Sequence, residues 1–405
     1  MIKFENILTW NQKTRTFELR DLVAYETRSP FVRNIGKNIN CEGLLAIPHA
    51  FDIHVHFREP GYTHKEDFYT GSQAALFGGV TAVLDMPNTN PPTLTKKDIL
   101  TKKRLAEEKA IIDVFIAVAI TNQNADTIKE VDEHADAYKV FLGETFGKLA
   151  INADNLHKAL ASLEELETEK TIIFHAESQE IIEYHKHEST HEKQRPPEAE
   201  AEAIQKVLEL ASQFPTLHFH ITHISSNLGK KIIEMNNLCN VTTDTCPRYL
   251  LFDDNSKFDY CLKKVNPPIR TEMDRMALLQ AISVGIIDMI SSDHSPHTIE
   301  EKQQQCLSGM PGVQELLPLT ITLVKKHELT WERAIEAFHS FPAKIFRLEE
   351  QTIDNGNYVI VNSYNQFEVS EDWIKTKVGW SPYSGWHLYG KPIYVIKGDK
   401  LIMAT

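Results

Sequence analysis

Between residues 48 and 292, short apolar segments recur, most of them followed by a stretch with helical periodicity. This alternation limits the possible folds more than any other feature of the chain. The segments lie at 48–54 (PHAFDIH), 79–86 (GVTAVLDM), 111–118 (IIDVFIAV), 136–142 (DAYKVFL), 171–176 (TIIFHA), 217–223 (LHFHITH), 239–244 (CNVTTD) and 286–292 (IIDMISS). Helical patterns such as Asn155–Glu169 and Ala199–Ser212 separate several of them. Strands alternating with helices pair in parallel through right-handed crossovers, and eight such strands close naturally into a (β/α)₈ barrel. The rival, an open doubly wound sheet, usually carries a Gly-rich phosphate loop after its first strand; here that strand ends in His54-Val55-His56. The flanking stretches, 1–47 and 350–405, alternate apolar and polar residues around Gly-Asp and Asn-Gly turns. They are expected to form a small β-sandwich-like domain beside a barrel spanning 48–349.

With 405 residues, 42% of them hydrophobic, the chain is long enough for one large core with a small appendage. A formal net charge of −13, with no basic run beyond pairs such as Lys102-Lys103, argues against a non-specific nucleic-acid surface. The five cysteines (41, 239, 246, 261 and 306) are odd in number, irregularly spaced and lack a CxxC pair. Reduced thiols are expected from this, rather than disulfides or a zinc knuckle. The first twenty residues do not read as a signal peptide, and no stretch approaches the roughly 18 apolar residues of a membrane span. A soluble, cytoplasmic protein is the expectation.

Barrel enzymes carry their chemistry at the C-terminal ends of their strands. The polar residues at those ends are His54, His56, Asn88, Lys139, His175, His223, Asp244 and Asp293. In an extended strand residues i and i+2 face the same side, so both imidazoles of His54-Val55-His56 can reach one metal ion. Each residue alone has a bland reading: solvated or core histidines, an aspartate capping a turn, a lysine snorkelling from an edge strand. Ionisable groups at nearly every strand end are harder to explain as packing. Lys139 stands out because AYKVFL is otherwise apolar. Burial would depress its pKa and allow the neutral amine to add carbon dioxide, giving an anion suited to bridging two cations.

The run FDIHVHFREPGYTHKEDFYTGSQAALFGGVTAVLDMPNTNPPT resembles the long signature of dihydroorotases of the cyclic amidohydrolase superfamily, and SSDHSPHTIEEK resembles their second signature. YKVFLGETFG and HITHIS also fit, the first looking most like the dihydroorotase domain of the animal multifunctional pyrimidine protein. The resemblance runs from about residue 48 to 348 and extends into the tail WSPYSGWHLYGKPIYVIKG. It implies reversible hydrolysis of the cyclic amide of dihydroorotate to N-carbamoyl-L-aspartate, in pyrimidine biosynthesis. It further implies two Zn²⁺ ions: His54, His56 and Asp293 would hold one, His175 and His223 the other, with carboxylated Lys139 between them. A hydroxide bridging the metals would be the nucleophile and Asp293 the general acid/base. Arg58, Asn88 and His297 match family residues that contact the substrate carboxylate. Thr145 and Phe146, in Gly143-Glu144-Thr145-Phe146-Gly147, match a flap that reaches the substrate. A homodimer, and association with aspartate transcarbamoylase, are also expectations from the resemblance.

Some residues depart from the pattern. Pro247-Arg248-Tyr249-Leu250 stands where relatives commonly have Pro-His-His-Leu. Asp244 replaces a glutamate that can help hold an additional metal, and Asn266 follows the bacterial pattern instead of an arginine. His185, His187 and His191 lie in a polar run and are expected to face solvent. The competing readings are an allantoinase or hydantoinase, which would share the metal site and differ in recognition residues, and a non-catalytic homologue, which would be expected to lack metal ligands.

Overall fold

The computed structural model describes residues 1–405 apart from Arg28, 33–35, 146–148 and Asn237. At its centre lies a parallel sheet of eight strands: β1 (Ala50–Val55), β2 (Val80–Asp85), β3 (Asp113–Ala119), β4 (Ala137–Phe141), β5 (Ile172–His175), β6 (Phe219–Ile221), β7 (Val241–Thr245) and β8 (Met289–Ile290). Each strand neighbours the next in sequence. The ring closes where Val55 bridges His294 in parallel and the His56 amide donates to the His294 carbonyl at 2.7 Å. Each of the eight apolar segments holds one strand, and the fold is the expected barrel. Every residue of β1, β2 and β4 is buried, because side chains fill the inside and helices cover the outside.

The crossovers are α1 (Phe68–Phe77), α2 (Lys96–Lys109), α3 (Ala153–Glu165), α4 (Pro197–Gln213), α5 (Asn227–Met235) and α6 (Glu272–Val284), with α7 (Leu316–Lys325) following β8. Reciprocal capping boxes start α1, α2 and α6 at Asp67, Thr95 and Thr271, satisfying amides that the helix itself leaves unpaired. α4 opens with Pro197 at its first turn and Glu198 and Glu200 near the positive end of the helix dipole. Between β3 and β4 the chain makes only a 3₁₀ turn, Ala125–Val131.

A second sheet has seven strands, in the order Thr16–Glu26, Lys400–Ala404, Lys391–Lys397, Tyr358–Asn362, Leu45–Ile47, Ile2–Asn11 and Asn38–Asn40. The first and the sixth also pair with each other, so this sheet too curls round on itself. Its strands come from both ends of the chain, as the alternation there suggested. Leu45–Ile47 leads directly into β1. His49, between them, donates from Nε2 to the Ile396 carbonyl at 2.6 Å, and its own carbonyl accepts from His339 Nδ1 at 2.8 Å. The second sheet is thereby fixed to the base of the barrel. No helix among the described residues is long and apolar enough to cross a membrane.

Two expectations need correction. Cys261 and Cys306 form a disulfide, against the expectation of reduced thiols throughout. They are 45 residues apart, and only the docking of the short helix Tyr260–Lys263 beside the end of Ile299–Gln305 brings them together. Spacing could not reveal that. His191 does not face solvent either: it is buried and donates from Nε2 to the Val265 carbonyl at 2.8 Å. His187 is exposed as expected and His185 half-buried. Cys41, Cys239 and Cys246 remain free. Thiol titration of the denatured protein without reductant should therefore find three reactive groups, rising to five after reduction. Five before reduction would mean the bond does not form.

Candidate active site

Six side chains suspected of binding metal converge on the barrel mouth from β1, β4 and β5 and from the turns after β6 and β8. His54, His56, Lys139, His175, His223 and Asp293 line one pocket, together with Arg58, Asn88, Thr145, Asn266, Ser295, Ser308 and Gly309. His297 does not line it; the residue is buried behind Arg58. Phe146 lies outside the described residues. Three of these residues adopt left-handed backbone angles that side chains disfavour: Arg58 at φ 62°, His223 at 48° and Asp293 at 41°. Each such residue costs on the order of 1–3 kcal/mol, and functional sites are where such strain collects.

The hydrogen bonds behind the imidazoles fix where their lone pairs point. Thr222 donates its one hydroxyl proton to Asp244 Oδ2 at 2.8 Å, so it can only accept from His54 Nδ1 at 2.7 Å. His54 Nε2 is then a bare acceptor, 3.5 Å from Asp293 Oδ1; His56 Nε2 lies 3.2 Å from the same oxygen. On the other side, His175 Nε2 donates to Glu177 Oε2 at 2.8 Å, which leaves Nδ1 bare and 2.9 Å from His223 Nε2. Burial holds all four histidines below their usual pKa, to about 4 for His56, so the rings are neutral and available as ligands. A bare imidazole nitrogen facing a carboxylate oxygen, as His54 Nε2 faces Asp293 Oδ1, is an arrangement that a cation would relieve. His54, His56 and Asp293 in particular offer ligand atoms within 4.8 Å of one another.

Lys139 Nζ is fully buried and makes no hydrogen bond among the described residues. Burial brings its pKa down to about 7, despite the opposing pull of Asp293 and Asp244. Asp293 behaves oppositely. Burial alone would raise it, but Arg248 and the two imidazoles outweigh that and hold its carboxyl well below the usual range. Arg248 is 2% exposed; Nη2 pairs with Asp293 Oδ2, and Nη1 lies 3.4 Å from the Asp293 carbonyl. Asp293 thus turns one carboxylate oxygen to the histidines and the other to a guanidinium.

Arg58 does not pair with Glu59, whose carboxylate takes Lys109 and the Phe68 amide. It donates from Nε to the Pro296 carbonyl at 3.2 Å, and its Nη2 lies 3.3 Å from His297 Nε2. Thr145 Oγ1 is buried and has no hydrogen-bond partner among the described residues.

Several residues that shape the site were not singled out by sequence reasoning for these roles. Both Asp244 oxygens are engaged in hydrogen bonds: they accept from His220 and Thr222 (2.7 and 2.8 Å) and from the His223 amide and Ser291 hydroxyl (2.7 and 2.8 Å). Glu177 orients His175 and is gripped by Arg195 through contacts of 2.8–3.1 Å. Its signal was present, since His175-Ala176-Glu177 repeats the i, i+2 spacing of the first pair. Arg248 appeared only as a departure from a pattern.

The profile of the Amidohydrolase family matches residues 45–358. The chain belongs to the amidohydrolase family. Among curated relatives of this amidohydrolase is a dihydroorotase of Pyrococcus furiosus, 32% identical over 89% of this chain and 82% of its own length. A Methanosarcina acetivorans dihydroorotase is 34% identical over 86% and 79%, and one from Ruminiclostridium cellulolyticum 31% identical over 95% and 94%. Similar solved structures include an L-hydantoinase (dihydropyrimidinase) from Arthrobacter aurescens, with a TM-score of 0.88, 22% identity, and 100% and 96% of the two chains covered. A dihydropyrimidinase from Brevibacillus agri gives a TM-score of 0.86 at 22% identity, covering 100% and 95%. At that identity the structures speak for the fold alone.

Asp244 supplies a test of how the histidines are held. Asp244→Ala should cost about 3 kcal/mol of stability, because it strips acceptors from buried donors. It should also weaken metal binding by roughly 10–100-fold, because His54 and His223 lose their orientation. Urea denaturation and chelator competition measure the two effects, and unaltered metal affinity would contradict the role given to this carboxylate.

Proposed function

We propose that this amidohydrolase is a zinc-dependent dihydroorotase, interconverting dihydroorotate and N-carbamoyl-L-aspartate. The observation that carries the reading is the Arg58 guanidinium, which lines the pocket next to the imidazole and carboxylate cluster with His297 behind it. A planar guanidinium matches a carboxylate with two parallel N–H donors, and a carboxylate is what separates dihydroorotate from hydantoin or dihydrouracil. Burial lowers Arg58 only to about 10, so it stays charged at neutral pH. The family membership and the dihydroorotases at 30–34% identity support the same substrate.

His54, His56 and Asp293 would hold one ion, His175 and His223 the other, and Lys139, once carboxylated, would lie between them. Imidazole and carboxylate ligands suit Zn²⁺. Bound there, a pair of such ions would supply hydroxide at neutral pH and polarise the ring carbonyl. The protein's own residues do the rest. Arg58 and Asn88, which line the pocket, hold the substrate carboxylate, with His297 backing Arg58, and so fix which ring amide faces Asp293. The amide C–N bond opens as the water oxygen adds to the carbonyl carbon, and Asp293 carries that water's proton to the departing nitrogen. In the reverse direction Asp293 removes the proton from the attacking ureido nitrogen. Both directions begin with an ionised Asp293, the state that Arg248 and the histidines favour.

Dihydroorotate, allantoin and hydantoin assayed side by side decide the substrate. Turnover of dihydroorotate at least about a hundredfold above the other two is expected, from loss of a charge-assisted bidentate contact. Turnover of allantoin alone would overturn the assignment.

Lys139 gives a second prediction. Carbon dioxide adds only to the free amine, so carboxylation should rise as the pH passes upward through about 7 and fall away below it. A ¹³CO₂-labelled carbamate signal should follow that curve. Lys139→Ala should abolish the signal and lower activity by about a hundredfold or more, with part of the activity restored by a short carboxylic acid. Full occupancy of both metals in Lys139→Ala would show that no carbamate is needed.

A further inference from the structure

Arg195 stands where two parts of the pocket wall meet. Its Nε lies 3.1 Å from each Glu177 carboxylate oxygen, and its Nη2 donates to Oε2 at 2.8 Å. The same Nη2 also donates to the Glu144 carbonyl at 3.3 Å. It carries two protons, so one nitrogen can serve both acceptors. Behind Glu177 is His175, whose Nε2 donates to Oε2 at 2.8 Å. Next to Glu144 is Thr145, which lines the pocket and whose buried hydroxyl has no hydrogen-bond partner among the described residues.

The chain approaching Thr145 is laid along the exit of β5. The Leu142 amide donates to the His175 carbonyl at 3.2 Å, and the Glu144 amide to Gln179 Oε1 at 2.7 Å. Gly143 passes so close to Glu177 that a Cβ there would lie 2.6 Å from the Glu177 carbonyl oxygen. The Gln179 bond is exposed, whereas Arg195 is 9% exposed and makes its bonds away from most competing water. Arg195 is itself fixed. Its amide closes the short helix His191–Gln194 on the His191 carbonyl at 3.1 Å, and its carbonyl accepts from Arg270 Nη1. His191 is pinned in turn, donating from Nε2 to the Val265 carbonyl at 2.8 Å and from its amide to the Tyr260 hydroxyl at 3.0 Å. Val265 lines the same pocket. The burial of His191 thus holds the arginine in place.

We propose that Arg195 is a positioning residue that couples two sides of the site: it holds Glu177, and through it the inward Nδ1 of His175, in register with the Glu144–Thr145 backbone. Charge alone would satisfy the carboxylate, but spanning carboxylate and carbonyl together takes the planar fork of an arginine. Arg195 does not line the pocket and acts only through these neighbours. That the molecule beside Thr145 is dihydroorotate rests on the function proposed above; the coupling does not.

Arg195→Lys and Arg195→Met separate the two ends. Lysine keeps a charge for Glu177 but offers one nitrogen in place of the fork, so the tether to the Glu144 carbonyl is lost. Amide hydrogen exchange across Leu142–Thr145 should then rise about tenfold, and KM for dihydroorotate about tenfold with kcat little changed. Zn²⁺ affinity, read by chelator competition, should stay within about threefold of wild type, since Glu177 keeps a cation. Arg195→Met removes the charge too, and Zn²⁺ affinity should fall roughly 10–100-fold. In a Thr145→Val background most of the KM effect of Arg195→Lys should disappear, because the tether acts through Thr145. The proposal is overturned by wild-type exchange in Arg195→Lys, by wild-type Zn²⁺ affinity in Arg195→Met, or by effects on KM that simply add. Should Arg195→Met not fold, exchange in Arg195→Lys and the double substitution decide. If wild type fails to turn over dihydroorotate, the substrate reading falls, while exchange and Zn²⁺ affinity still decide the coupling.

Discussion

Four neutral imidazoles turned inward on one small space are the constraint around which the rest of the barrel mouth is built. His175 Nδ1 and His223 Nε2 lie 2.9 Å apart, and His54 and His56 both face Asp293 Oδ1. Left alone, buried rings would rotate until each nitrogen found its own partner, since an unsatisfied polar atom in a protein interior is costly. What prevents this is the outer hydrogen bonding. Glu177 holds His175, the Thr222 hydroxyl holds His54, and Asp244 ties Thr222, the His223 amide and Ser291 together. The inward nitrogens of His54 and His175 are directed by bonds made on the far side of each ring, which is how metal-binding histidines are usually oriented.

Burying carboxylates to do that work creates a second demand. A buried charge must be compensated, and Glu177, Asp85 and Asp293 each meet a cation from a different element. Glu177 meets Arg195, which also donates to the Glu144 carbonyl at 3.3 Å. Asp85, at the end of β2, meets Lys102 of α2 at 2.6 Å and accepts the Phe57 amide at 2.6 Å, fixing the turn that follows the His54–His56 pair. Asp293 meets Arg248. Lys139 differs, an amine with no counter-charge in hydrogen-bond contact among the described residues, and a buried cation without a partner is unstable relative to the neutral base. The same economy of charge that pairs the acids leaves this one amine free to react.

Much of this was legible in the sequence, and the reason is periodicity. The barrel strands are short apolar runs, and a residue at the end of one must point into the mouth, so His54, His56, Lys139, His175, His223 and Asp293 announced themselves by position. The exceptions are all pairings across distance. Arg248 meets Asp293 across 45 positions, Lys65 meets His297 across 232, and Cys261 meets Cys306 across 45. Local pattern carries no information about which distant groups a fold brings together. His191 shows the complementary failure: its neighbours in sequence are polar, and its burial comes from the segment around Val265 packing over it. Composition describes a stretch of chain, whereas burial depends on what the rest of the chain lays against it.

The strained backbone at Arg58, His223 and Asp293 explains why the C-terminal stretch takes part in the site at all. A side chain leaving the end of a strand in its relaxed conformation continues outward, and turning it back over the mouth requires the left-handed angles seen there. Such turns persist only where surrounding bonds over-determine them. The His223 amide is held by Asp244, the His294 amide by Ser292 Oγ at 3.0 Å, and the Arg58 carbonyl by the Tyr62 amide at 2.9 Å. Beyond these, Trp380 donates from its indole to the His297 carbonyl at 2.9 Å, and the buried Glu66 carboxylate takes the Thr376 hydroxyl and the Lys377 amide while lying 3.4 Å from His294. Gln314 donates to the Trp373 carbonyl at 2.6 Å and accepts from the Lys375 amide at 2.8 Å. The segment from Trp373 to Trp380 therefore clamps the turn carrying Asp293 and His297 from outside the barrel. A tail that looks remote from the chemistry in sequence is, in three dimensions, part of what keeps a strained loop in its working shape.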